Sequence, residues 1–152
     1  LLIGGYGYKP VEDFIVGQEK NSDSIVFVGK QEYSRVLEIE ATADVLIALY
    51  DPSLRNHQYA APNKFYEALM LGKPLICAKN TCIDEIIAQN DIGWILDVPD
   101  KAFQKEFNRI LDEIVAKRSD LLNYCERMKQ LYDISYDWDV MKEQLKKLYV
   151  SL

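Results

Sequence analysis

The alternation of short apolar runs with amphipathic segments constrains the fold of this 152-residue chain more than any other feature. Apolar runs occupy residues 1–5, 25–29, 45–50, 75–78 and 93–96, and segments with helical spacing of apolar residues occupy 11–20, 31–43, 63–71 and 83–90. Continuous apolar runs are typical of strands that are buried on both faces of a parallel sheet. The pattern therefore predicts an α/β fold, a doubly wound, Rossmann-like parallel sheet with helices on both faces.

The last third of the chain indicates helices appended to this sheet. Asp100 is a suitable N-cap for a long helix, which we expect to break near Ser119. A final helix is predicted over residues 138–150, with Asp137 as its cap. No repeat or linker divides the chain, so we predict one domain over residues 1–152. Because the sequence starts with Leu1 inside an apolar run, we expect it to be a fragment of a longer protein.

Composition excludes several classes of function. The net charge of -6 argues against nucleic acid as a partner, because binding to phosphate backbones needs clustered Lys and Arg. A single nucleotide needs only a few local donors and remains possible. Three cysteines without metal-ligand spacing indicate reduced thiols and a cytoplasmic protein. We find no transmembrane segment, and we predict neither a metal nor another cofactor.

Ligands of open parallel sheets bind beyond the carboxyl ends of the strands. In this chain, the segments that follow the predicted strands at that end are residues 4–9, 29–32, 51–63 and 79–84. The first of these segments, "GGYGYKP", contains Gly5 and Gly7, but Pro10 stands where a dinucleotide fingerprint has its third glycine. The glycines serve either a tight turn or a bound nucleotide. We include Gly5 among the candidate binding residues.

The segment 51–63 and the helix after it offer the richest set of polar groups. His57, the only histidine, is either a solvated side chain or a catalytic one. Pro62 suits the first turn of the following helix, whose N–H groups favour an anion. Lys64 and Glu67 lie on the same side of that helix. They form either an ion pair or a nucleotide site, in which Lys64 faces phosphate and Glu67 a ribose diol.

The segment 79–84 leads into the next helix with the sequence "AKNTCIDE". Thr81 or Asp84 caps this helix, or its free N–H groups bind phosphate. Both interpretations remain open at this point.

Five motifs, in order along the chain, resemble the retaining glycosyltransferases of the GT-B fold, especially the large family 4. The most informative is "PNKFYEALMLGKPLICA", and the others are "LLIGGYG", "IVFVGKQEYSRVLEIEATADVLIAL", "IDEIIAQNDIGWILD" and "YDWDVMKEQLKKLY". The resemblance implies a C-terminal, donor-binding domain. It places the ribose-binding glutamate of the family on Glu67 and its donor-loop glutamate on Glu85.

Two departures from the family pattern concern the donor sugar and diphosphate. Tyr59 stands where many members have a first glutamate, and Thr81 and Cys82 replace the usual Gly-Gly turn. We expect Asn63 and Lys64 to compensate. The donor-binding candidates are therefore Gly5, Asn63, Lys64, Glu67, Thr81 and Glu85, whereas the catalytic residues are unknown.

The resemblance implies a metal-independent hexosyltransferase that transfers a sugar, with retention, from a UDP- or GDP-sugar to a glycan or lipid-linked acceptor. The N-terminal acceptor domain and the first strand of this domain would lie upstream of Leu1, so the fragment alone should be inactive. Polysaccharide biosynthesis in the cytoplasm, or at the cytoplasmic face of the membrane, is the expected role. The alternatives are a GT-B sugar-nucleotide epimerase and a non-enzymatic α/β binding domain.

Overall fold

The computed structural model describes residues 1–98 and 101–150. The chain divides into two compact units, Leu1–Glu40 and Ala41–Leu152. Each unit contains one parallel sheet flanked by helices, which confirms the predicted α/β class. The predicted cap Asp100 lies outside the described residues.

The first unit is built on two parallel strands, β1 (Leu2–Gly4) and β2 (Val26–Gly29), joined by helix α1 (Lys9–Lys20). Helix α2 (Tyr33–Thr42) follows β2. Pro10 lies in the first turn of α1, where its missing N–H has no helical partner to lose. The Glu19 carboxylate accepts the N–H of Phe27 at 2.9 Å and so links α1 to β2.

The prediction that these two strands are buried is wrong. Leu2 and Val26 are each 46% exposed, and Glu40 is the only buried residue among the described residues 1–40. The reason is physical: a sheet of two short strands has too little surface to enclose apolar side chains on both faces.

The second unit contains the parallel sheet β3–β4–β5, formed by Leu46–Ala48, Leu75–Ala78 and Gly93–Leu96. Its helices are α3 (Arg55–Tyr59), α4 (Asn63–Leu71), α5 (Asp84–Asn90), α6 (Phe103–Ala116), α7 (Leu121–Leu131) and α8 (Trp138–Val150). A 3₁₀ turn at Arg118–Asp120 and a π-helical turn at Tyr132–Tyr136 flank α7. The predicted break near Ser119 and the predicted final helix are confirmed, and Asp137 accepts the N–H of Asp139 at 2.9 Å as the expected cap.

Strand β4 lies at the centre of the hydrophobic core, and all four of its residues are buried. Leu75 and Cys77 pack with buried residues of α4, α5 and α7, whereas Ile76 packs on the opposite face with residues of α6. This alternation follows from the period of two along a strand. Helices therefore cover both faces of the sheet in the second unit, as predicted.

Two glycines permit the close packing around β4. A Cβ atom at Gly93 would lie 1.9 Å from the carbonyl oxygen of Leu75, so β5 can pair with β4 only with glycine at this position. Gly72 ends α4 with a φ of 65°, and a Cβ atom there would lie 3.2 Å from the carbonyl oxygen of Cys125 in α7.

Candidate functional site

The carboxyl ends of β3, β4 and β5 lie at one edge of the sheet because the three strands are parallel. The segments that leave β3 and β4 at this edge lead into α4 and α5. We call residues 49–63 and 79–85 the strand-end edge. Open parallel sheets bind ligands at such an edge, so it is the candidate site of the second unit.

The segment that follows β3 is more ordered than the polar loop that the sequence predicted. Residues 55–59 form the short helix α3, and the Asp51 carboxylate accepts the N–H of Ser53 at 2.9 Å. The Gln58 side chain donates to the carbonyl oxygen of Pro52 at 2.7 Å. Hydrogen bonds from the side chain and the backbone N–H of Ser53 lower the pKa of Asp51. The sequence did not predict this helix because its five residues show no apolar periodicity.

His57 has one ring nitrogen bound to the backbone. Its Nδ1 lies 3.0 Å from the carbonyl oxygen of Asp51, and its ring contacts the Tyr50 ring edge to face at a centroid distance of 5.3 Å. The side chain is half-buried. The ring is thus held through Nδ1, and the role of His57, solvated or catalytic, stays a prediction.

Helix α4 carries three of the predicted donor-binding residues. Asn63 is exposed at its first residue, whereas Lys64 and Glu67 are half-buried. Glu67 makes no hydrogen bond or ion pair with any residue in the described ranges, so the simple Lys64–Glu67 ion pair is not formed. Lys64 is engaged in an interaction with another residue. The opposite side of the helix packs into the core through Phe65, Ala68 and Leu69, which fixes the orientation of Glu67.

Helix α5 begins with its own carboxylates. Asp84, the first residue of α5, accepts the backbone N–H groups of Asn80 and Glu85, each at 2.7 Å, whereas the cap residue Ile83 makes no side-chain hydrogen bond. Thr81 does not cap the helix, because its hydroxyl donates to the carbonyl oxygen of Ala78 at 2.8 Å and the residue is buried. Glu85 is exposed in the first turn.

Sequence reasoning missed Asn80, whose left-handed φ of 60° turns its N–H toward Asp84. The available signal was the residue type, since Asn adopts this conformation more readily than most residues.

The negative charge of Asp84 also acts on two nearby thiols. Burial raises the pKa of Cys77 to about 12, and the charge of Asp84 adds to this effect. Burial also raises the pKa of Cys82, with Asp84 again contributing. All three cysteines, Cys77, Cys82 and Cys125, are free.

Gly5 lies in the first unit, whereas the other candidates belong to the second. It has a φ of 140°, which requires glycine, and its N–H donates to the carbonyl oxygen of Gly29 at 2.8 Å. The glycine-rich segment borders a small cavity of about 190 Å³, in which Glu12 accepts the N–H of Gly7 at 2.7 Å. Residues 5–8 contain no hydrogen-bonded turn, so the tight turn that the sequence allowed is not formed, and the bond from Gly5 to Gly29 continues the pairing of β1 with β2. The binding role of Gly5 stays a prediction.

A larger, open depression of about 640 Å³ runs along α6 and is lined by Lys101, Gln104, Lys105, Asn108, Arg109 and Asp112. The charge of Arg109 is balanced by Glu106 and Glu113, at 2.7 and 2.9 Å. Across residues 1–98 and 101–150, no three His, Cys, Asp or Glu side chains are grouped as metal ligands would be. Within the same ranges, the helices are too short or too polar to span a membrane.

Comparison with known families gives one match. The profile of the family described as "Glycosyl transferases group 1" matches residues 1–130. Comparison with curated protein sequences finds no match.

Comparison with solved structures gives similar folds at low sequence identity. WaaG, a glycosyltransferase involved in lipopolysaccharide biosynthesis, has a TM-score of 0.72 at 17% identity, over 95% of this chain and 36% of that one. HepE from Anabaena, solved in complex with UDP, has a TM-score of 0.69 at 14% identity, over 99% and 40%. Sucrose-phosphate synthase from Thermosynechococcus elongatus has a TM-score of 0.72 at 17% identity, over 99% and 38%. The chain thus spans less than half the length of these structures, and the likeness establishes its fold.

Proposed function

Because this chain belongs to the group 1 glycosyl transferases, we propose that it is the donor-binding domain of a retaining, metal-independent hexosyltransferase. The donor is a UDP- or GDP-sugar, and the acceptor is a glycan or a lipid-linked sugar. The domain works with an N-terminal acceptor domain of the same protein. The enzyme acts in the cytoplasm, or at the cytoplasmic face of a membrane, in polysaccharide biosynthesis.

The observation that carries this proposal is the state of Glu67. Glu67 is half-buried in the second turn of the helix that follows the strand-end edge, and it has no partner among the described residues. A carboxylate without a protein partner is free to accept hydrogen bonds from a ligand. The two hydroxyls of a ribose are suited to a carboxylate, because each can donate a hydrogen bond to it.

The remaining candidates of the second unit surround the same ligand in this proposal. Asn63, together with the first turn of α4 and the amine of Lys64, stabilises the charge of the diphosphate as it departs. The exposed Glu85 accepts a hydrogen bond from a hydroxyl of the sugar, and backbone groups near Thr81 complete the binding of the donor. Gly5, in the first unit, stays a separate candidate for contact with the nucleotide. Closure of the two domains excludes water that would hydrolyse the donor.

Calorimetric titration of the complete natural protein with UDP and GDP tests the proposal. One of the two should bind, and Glu67→Gln should weaken that binding about tenfold to a hundredfold, as expected for hydrogen bonds to a charged group. Glu126→Gln is the matched control, because Glu126 is exposed on α7. Absence of binding by both nucleotides would contradict the proposed function. Equal binding by the Glu67→Gln variant would contradict only the ribose assignment.

A further inference from the structure

His57 is held at the strand-end edge in a defined orientation. Its backbone N–H donates to the carbonyl oxygen of Leu54 at 2.8 Å, which keeps the residue within α3. Its ring is fixed on one side by Asp51 and on another by the edge-to-face contact with Tyr50. A side chain whose orientation is already fixed loses little entropy when it binds a ligand.

The bond to Asp51 determines which ring nitrogen carries the hydrogen. A carbonyl oxygen can only accept a hydrogen bond, so Nδ1 must be the donor. In the neutral imidazole, Nε2 then has no hydrogen and is an acceptor. No residue in the described ranges bonds to Nε2. An acceptor without a protein partner is therefore available at the edge where a ligand is expected.

An acceptor such as Nε2 is complementary only to those parts of a nucleotide-sugar that donate hydrogen bonds. Phosphate oxygens are themselves acceptors, so a neutral Nε2 does not complement the diphosphate. The ribose hydroxyls are assigned to Glu67 in the proposed function. The hydroxyl groups of the transferred sugar are donors and are complementary to Nε2.

We propose that His57 contacts the donor sugar, accepting a hydrogen bond from a sugar hydroxyl at Nε2. This inference rests on the proposed function and extends it from the nucleotide to the sugar. The contact gives the enzyme a means to discriminate between sugars, because a buried polar group left without its partner disfavours an analogue that lacks the hydroxyl.

If His57 had only a structural role, its variants would differ from the unmutated protein in another way. The side-chain amide of Asn can take the place of Nδ1 and keep the bond to Asp51, but it does not reach the position of Nε2. The longer Gln can reach the position of Nε2. If His57 only stabilised the segment after β3, His57→Asn would behave like the unmutated protein toward every ligand.

The test compares each nucleotide-sugar with its own nucleoside diphosphate in the complete natural protein. The probes are UDP with UDP-glucose and GDP with GDP-mannose, measured by calorimetry. We expect His57→Asn to weaken binding of the nucleotide-sugar about tenfold, as for one lost hydrogen bond, and to leave binding of the nucleoside diphosphate within about twofold. We expect His57→Gln to recover most of the lost affinity. Thermal unfolding of each variant establishes that it is folded.

Three outcomes would overturn the inference. If His57→Asn binds the nucleotide-sugar as tightly as the unmutated protein, the sugar contact does not exist. If both ligands weaken equally, His57 contacts the nucleoside or supports the segment. If the unmutated protein binds neither ligand, the proposed function itself fails, and this failure is distinguishable because it appears without any substitution. As a second readout, the ¹⁵N resonance of Nε2 that disappears in His57→Asn should shift with the nucleotide-sugar and not with the nucleoside diphosphate.

Discussion

Helices α4 and α5 follow neighbouring parallel strands, yet their first turns carry different charges. Helix α5 begins with Asp84 and Glu85, and Asp84 accepts two backbone N–H groups. Helix α4 has no acidic residue in its first turn and no capping side chain, and it begins with Asn63 and Lys64. The two helices therefore present opposite conditions to an anion that approaches the same edge of the sheet.

The physical reason lies in the partial positive charge of a helix N-terminus. Carboxylates in the first turn compensate this charge, which stabilises the helix but repels an anionic ligand. In helix α5, Asp84 and Glu85 compensate this charge from within the first turn. Helix α4 has no carboxylate in its own first turn, so a diphosphate is better placed there than at α5.

The largest effect should come from removing the side chain that anchors α4. Phe65 is 1% exposed and contacts the rings of Tyr66 and Tyr136 edge to face, at 5.3 and 5.5 Å. We expect Phe65→Ala to lower the free energy of unfolding by about 3–5 kcal/mol, because it leaves a cavity and removes aromatic contacts. Urea denaturation measures the loss. Tyr59→Ala, at an exposed position, should change the stability by less than about 0.5 kcal/mol, and similar losses for the two variants would refute the anchoring role.

A smaller effect should follow from removing the internal compensation of α5. We expect Asp84→Ala to lower the free energy of unfolding by about 1–2 kcal/mol, because two backbone N–H groups lose their acceptor. Glu85→Ala is the matched control, since Glu85 shares the first turn but its side chain makes no hydrogen bond with a described residue. Equal losses from the two substitutions would show that the charge in the first turn, and not the capping geometry, stabilises α5.

The sequence predicted the second unit better than the first. Strands β4 and β5 and helix α8 have the predicted bounds, because Gly and Pro residues mark the strand starts and capping by Asp137 marks the start of α8. The predicted burial of β1 and β2 was wrong. An apolar run indicates that a strand can be buried, but it does not indicate which elements pack against the strand.

The site could be located from the sequence but not resolved into contacts. Helical spacing places Lys64 and Glu67 on one side of α4, both when they pair with each other and when they face a ligand. Only the structure could therefore exclude an ion pair between them. The Nδ1 contact of His57 depends on a turn after β3 that has no periodic signature. Thr81 illustrates the opposite case, because its type allowed a cap and its burial assigns the hydroxyl to Ala78 instead.

The difference in first-turn charge between α4 and α5 can be removed by giving α4 a carboxylate of its own. Asn63→Asp changes only one group of an exposed side chain. We expect it to stabilise the protein without ligand by about 0.3–1 kcal/mol and to weaken nucleoside diphosphate binding about fivefold, because the added charge compensates the helix end and repels phosphate. Calorimetry and thermal unfolding measure the two effects. Gln89→Glu, which adds the same charge near the end of α5, should leave binding unchanged, and equal weakening by both variants would indicate a general charge effect.

The smallest effect concerns the thiols that Asp84 influences. Burial raises the pKa of Cys82, and the negative charge of Asp84 makes a smaller contribution in the same direction. Asp84→Asn should therefore lower that pKa and enlarge the thiolate fraction at any pH below it. We expect alkylation of Cys82 by iodoacetamide, followed by mass spectrometry at about pH 8, to become about twofold faster. Cys77 should stay unreactive, because burial is the main reason that its pKa is about 12. Cys125 on α7 is the control, and an equal acceleration at Cys125 would mean that the substitution loosened the protein and did not act through the charge of Asp84.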